Sequence, residues 1–173
     1  MKKHILILIV IQLSNFTFGQ TNDFLKNYPF NKSTSIMIGE FIDSEKISDT
    51  LWKVTCREIP KINKKVNVAE FENLKKLYSS EYPKLAKIIF ENETKISEGI
   101  IKEKSYNEFG YAILFFNETG QVFEYIQFCY NSKITYSSFP QSKLKNFDWD
   151  KFNLLKQLFK DNGIAITEYR GGD

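Results

Sequence analysis

The chain has a single histidine, and it is the fourth residue. If the segment around it is cut away, no imidazole remains. That excludes Ser-His-Asp and Cys-His nucleophile systems, histidine-containing zinc sites and any switch that titrates near neutral pH. Cysteine is equally sparse, with only Cys56 and Cys129, so an all-thiolate metal site is excluded too. Glycine-rich phosphate loops and nucleophile elbows are missing, and no metal or cofactor is expected. An enzyme on this scaffold would have to use carboxylates, lysine, tyrosine or a lone thiol.

A strong charge excess is also lacking. The sequence carries 24 basic and 21 acidic side chains, for a net charge of +3, and Lys2 and Lys3 at the extreme start account for most of that excess. Nucleic-acid partners usually need clustered cations on a strongly basic domain, so none is expected here. The densest basic stretch, Lys61, Lys64 and Lys65 in "PKINKKVN", reads as a solvated loop.

Long hydrophobic runs are absent as well. The opening "MKKHILILIVIQLSNFTFGQ" places two lysines before an apolar run from Ile5 to Ile11, which Gln12, Ser14 and Asn15 then interrupt. A membrane-spanning helix needs about 20 mostly apolar residues, whereas an export signal needs a core of roughly 7–15. Thr17 and Gly19 put small residues where a signal peptidase requires them, so a bacterial-type signal peptide over residues 1–19, cleaved after Gly19, is expected. No cysteine stands at the cleavage point to take a lipid. The expected product is an exported protein, periplasmic or extracellular, with no stable membrane anchor after cleavage. An uncleaved amino-terminal anchor is the alternative.

About 150 residues then remain, one domain with room for a core. Residues 20–34 read as an irregular lead-in, 35–169 as a single domain and 170–173 as a flexible tail. "SIMIGEFI" (Ser35–Ile42) and "LWKVTCREI" (Leu51–Ile59) read as strands of a long-looped hairpin, the second ended by Pro60. Asn67 and Glu70 fit a capping box, and Phe71, Leu74, Tyr78, Leu85 and Ile89 keep helical spacing. The region from Asn67 to Phe90 therefore predicts one helix kinked at Pro83, or two short ones. Strands follow at Lys95–Lys104, Tyr111–Phe116, Gln121–Tyr130 and in "KITYSSF", turning at "NETG" and Asn131-Ser132, as an antiparallel meander. A second helix spans Asp148 to Asn162, with Asp148 as cap and Gly163 as stop, and "IAITE" reads as a last strand. The fold class is α+β: an antiparallel sheet, made of a two-strand hairpin and a four-strand meander, packed with a kinked helix and a C-terminal helix. A helix followed by an antiparallel meander resembles the cystatin-like arrangement, in layout only, and that likeness assigns no residue a role.

"QVFEYIQFCY" is apolar on both faces, with Val122, Ile126, Phe128 and Tyr130 on one and Phe123, Tyr125 and Cys129 on the other. Either the helices cover opposite faces, or they share one and leave an aromatic surface. In the second case Phe123 and Tyr125, with Phe115 or Phe116, would form a binding platform for a protein or a glycan. Glu124 and Glu40 sit among apolar strand neighbours and are the weak candidates for a catalytic carboxylate pair. Cys56 and Cys129 are the disulfide candidates. A bridge would close a loop of about 70 residues, worth about 4 kcal/mol, and two separate buried thiols are the alternative. Tripeptides of glycan-acceptor type at Asn31, Asn92 and Asn117 are set aside in a chain so rich in asparagine. The leading expectation is a small non-catalytic binding domain. A carboxylate-based hydrolase or lyase on an extracellular polymer, and a structural subunit of an envelope assembly, are the alternatives.

Overall fold

The computed structural model describes residues 23–42, 44–46, 52–54, 58–90, 109–129, 135–138 and 149–164. Strands β1 (Ser35–Ile42), β6 (Phe71–Lys76), β7 (Phe109–Phe116), β8 (Val122–Cys129) and β9 (Thr135–Ser137) form one antiparallel sheet in the order β6-β1-β7-β8-β9. Two short ladders stand apart from it: β2 (Ser44–Lys46) with β3 (Trp52–Val54), and β4 (Lys61–Ile62) with β5 (Lys65–Val66). Helices α1 (Tyr82–Phe90) and α2 (Trp149–Asp161) complete an α+β architecture.

The β7-β8-β9 run is the expected meander, and its first turn shows why. Gly120 has φ +72°, and the Asn117 side chain accepts from the Thr119 and Gln121 amides at 3.1 and 3.0 Å. The C-terminal helix also follows its pattern. It stops at Gly163 (φ +80°), where the Ile164 amide reaches back to the Phe159 carbonyl at 2.9 Å. The proposed strand at Lys95–Lys104, the Asp148 cap and most of "IAITE" lie outside the described residues.

The hairpin of Ser35–Ile42 with Leu51–Ile59 does not form. β1 is held between β6 and β7, and among the described residues the second segment contributes β3, paired with β2. The expected helix from Asn67 is also replaced. Asn67 does cap a turn, accepting from the Ala69 amide at 3.4 Å and donating to Glu70 at 2.7 Å, but that turn is a 3-10 turn of Val68–Glu70 leading into β6. The pairing of β1 with β6 slips between Glu40 and Phe41, leaving Glu72 as an extra residue. This bulge lets Phe71 and Leu74, three apart, pack into the same cluster, which imitates helical spacing in a strand. Pro83 lies in the first turn of α1, where a missing N–H costs nothing, so it starts a helix and does not kink one.

Both helices lie on the same face, not on opposite faces. Leu85, Ala86, Ile88 and Ile89 of α1 and Phe152, Leu155, Leu158 and Phe159 of α2 cover Ile36, Ile38, Tyr111, Ile113, Ile126 and Phe128. The Phe128 ring meets the Phe152 and Phe159 rings edge-on at 5.8 and 5.3 Å. Lys84 of α1 joins Asp161 of α2 at 3.0 Å, tying the helices side by side. The lead-in also belongs to this layer, because Phe30 is buried and Phe24, Leu25 and Tyr28 pack around it. On the other face Phe41, Phe71, Ala112, Leu114 and Tyr125 form a second cluster, closed in part by Ile59 and Val66.

Candidate functional site

Residues 58–70 fold back over this second face. Asn63 and Lys64 take left-handed backbone angles (φ 51° and 66°), which make the two-residue turn joining β4 to β5. The Asn67 amide bonds to the Pro60 carbonyl at 2.8 Å and closes the loop at its base. Gln127 of β8, fully buried, accepts from the Ile59 amide at 2.7 Å and pins the segment to the sheet.

The segment and the sheet margin border a half-open pocket of about 370 Å3 lined by Phe41, Ile42, Glu58, Pro60, Glu70 and Glu72. Phe41, Ile42 and Pro60 give it an apolar wall, and the other three are carboxylates. The Phe41 ring lies flat over Gly110, where a Cβ would come within 2.5 Å of its Cζ, and meets Phe71 edge-on at 5.5 Å. Ile42 is 50% exposed although it is a large apolar residue.

The three carboxylates differ. Glu58 is bonded to Lys61, whose ammonium also sits 5.2 Å from the centre of the Tyr125 ring, and this pairing holds Glu58 below the usual carboxylate range. Burial works against the Lys61 charge, but Glu58 and Tyr125 together keep its pKa above the ordinary lysine value. Among the described residues, Glu70 accepts from the Asn67 side-chain amide nitrogen. Neither Glu70 nor Glu72 has an ion-pair partner among the described residues. Nearby, burial raises the Glu40 pKa and the charge of Glu72 adds to it, against a lowering hydrogen bond from Asn73.

Glu40 and Glu124 are not brought together. Glu40 stands opposite Tyr111 and Glu124 opposite Phe115, four residues along β7 and two strands across, so their backbones are about 17 Å apart. Carboxylate pairs that cleave glycosides stand roughly 5–9.5 Å apart. Glu124 is buried and takes hydrogen bonds from the Tyr28 and Ser138 hydroxyls. Burial, and then the bond to Glu124, hold the Tyr28 phenol well above its ordinary pKa.

The four rings of the expected platform do not share a face. The pairing of β7 with β8 slips between Phe115 and Phe116, so Phe123 is an extra residue, and it packs with Phe115 on the helix side while Tyr125 and Phe116 join the second cluster. Phe115 is fully buried in the core. Tyr125 does reach the candidate site, with its hydroxyl 3.4 Å from Glu58. Sequence reasoning missed Glu58, Glu70 and Glu72, which are separated by a hairpin that looked like a solvated loop. The usable signal was the two-residue turn Asn63-Lys64 between short apolar-polar pairs.

Cys56 lies outside the described residues, so the proposed bridge to Cys129 does too. Among the described residues no group of three or more histidine, cysteine or acidic side chains could hold a metal ion, and no helix is long and apolar enough to cross a membrane. No family model matches this chain, and no curated protein and no solved structure is detectably similar to it.

Proposed function

We propose that this chain is an exported, non-catalytic binding domain that holds another polypeptide at the pocket on the face of its sheet opposite α1 and α2. The observation that carries the reading is the pocket itself, an apolar wall from Phe41, Ile42 and Pro60 facing Glu58, Glu70 and Glu72. An aliphatic stem ending in a cation fits this chemistry, because the methylenes lie along the wall while the head meets carboxylates. A lysine or arginine side chain on a partner has that form. Export rests on the basic, apolar and small-residue pattern of residues 1–19.

Capture from the exported fraction tests the reading, using the chain expressed with its own leader, its Ile42→Arg variant and a Leu154→Asp control on the exposed side of α2. A partner retained by wild type and by the control but lost by Ile42→Arg supports pocket docking. Equal capture by all three, or none by wild type, counts against it. Intact mass of the exported form, lacking residues 1–19, tests the address.

A further inference from the structure

We infer that the polypeptide held at this pocket is a second copy of the same chain, paired antiparallel along β6 so that the partner's Lys76 meets Glu72. This rests on the reading of the pocket as a docking site for a basic side chain, and it names the partner. β6 is the margin of the sheet, and among the described residues no strand pairs with its outer side. The Leu77 amide bonds to the Ile36 carbonyl, so by antiparallel alternation the peptide groups of Lys75 and Asn73 face β1 while those of Leu74 and Lys76 point outward. A margin with free peptide groups is a template for another strand.

Charge selects the register. A two-fold axis through Glu72 would face carboxylate with carboxylate, and one through Lys75 or Lys76 would face ammonium with ammonium. An axis through Asn73 would set Glu72 against the partner's Leu74 and Phe71 against the partner's Lys75. With the axis through Leu74, the two leucines meet, Asn73 faces the partner's Lys75, and Glu72 faces the partner's Lys76 twice over by symmetry. Adjacent lysines on an edge strand repel indiscriminate strand addition. In this one register they are answered, so the same residues that exclude other strands admit a copy. Glu72 lines the pocket, and no described cation pairs with it, so the partner's Lys76 supplies a cation for Glu72.

Sedimentation equilibrium of the exported full chain over a range of concentrations and salt tests this. A wild-type dimer weakened by salt is expected, with Lys76→Glu and Glu72→Lys each raising the dissociation constant by about tenfold or more. The combined Glu72→Lys/Lys76→Glu chain should regain the dimer, since the swap restores both pairs. Circular dichroism melts establish that each variant is folded, and surface charges on an edge strand leave the core intact. A wild type that stays monomeric throughout, a Lys76→Glu chain that dimerises like wild type, or a folded double variant that fails to recover would each overturn the inference. A monomeric chain that still captures a foreign partner in an Ile42→Arg-sensitive way would overturn the dimer and leave the pocket reading standing.

Discussion

Replacing Gln127 with methionine removes the one described acceptor for the Ile59 amide while keeping nearly the same length and volume in β8. Both groups are out of water, with Gln127 at 0% and Ile59 at 2% exposure, so solvent cannot take over the lost 2.7 Å bond. A buried donor left without a partner costs about 1–3 kcal/mol. Each kcal/mol lowers the melting temperature of a domain this size by about 2–4 °C. Thermal melts of Gln127→Met beside wild type give the global figure, and amide exchange gives the local one. Exchange at Ile59 should accelerate far more than exchange in α2, because the bond fastens the covering segment and not the helical layer. Since Glu58 and Pro60 ride on the same segment, binding at the pocket should weaken in parallel. An unchanged melt together with unchanged protection at Ile59 would refute the argument that this bond secures the second layer.

Gly110→Ala puts a methyl group into the Phe41 ring, with Cβ to Cζ at 2.5 Å, and should destabilise by about 1–3 kcal/mol in denaturant titration because the ring is walled in. Phe159→Ala empties the junction of Tyr111, Phe128 and α2 and should cost about 3–5 kcal/mol by the same assay. Glu40→Gln should raise the melting temperature at neutral pH. The folded-state pKa of Glu40 is raised, chiefly by burial, so the folded chain binds the proton more tightly, and wild-type stability falls as pH rises from the ordinary carboxylate value through the raised one. Melts across pH should therefore show the variant's advantage closing as the solution is acidified below that window.

What the sequence revealed depended on whether the pattern had one physical cause or two. α2 was legible because a single amphipathic stripe and a glycine stop agree, and β7-β8 because a turn with a left-handed glycine separates two apolar runs. The bulges defeated parity arguments. An extra residue at Glu72 made strand β6 look helical, and another at Phe123 moved one ring of the expected platform to the opposite face. The lead-in hid its role because Phe24, Tyr28 and Phe30 have no period, yet they pack on the helix-side core. The pocket was illegible for a different reason. Its carboxylates come from the start of the β4-β5 excursion and from its return, and only the fold-back over Tyr125 makes them neighbours.

The surplus residue in β8 bears on how this chain tolerates changes in length. Because Val122 already faces Phe116 and Glu124 already faces Phe115, losing Phe123 would leave a regular ladder and every other side chain on its present side. Its cost would be confined to the ring that stands edge-on to Tyr28 at 5.9 Å, beside the Tyr28 bond to Glu124. Losing Ile126 instead would turn the preceding half of the strand inside out. Shortened variants of this hairpin should therefore survive selection when the excised codon is that of Phe123, and fail when it lies deeper in the strand.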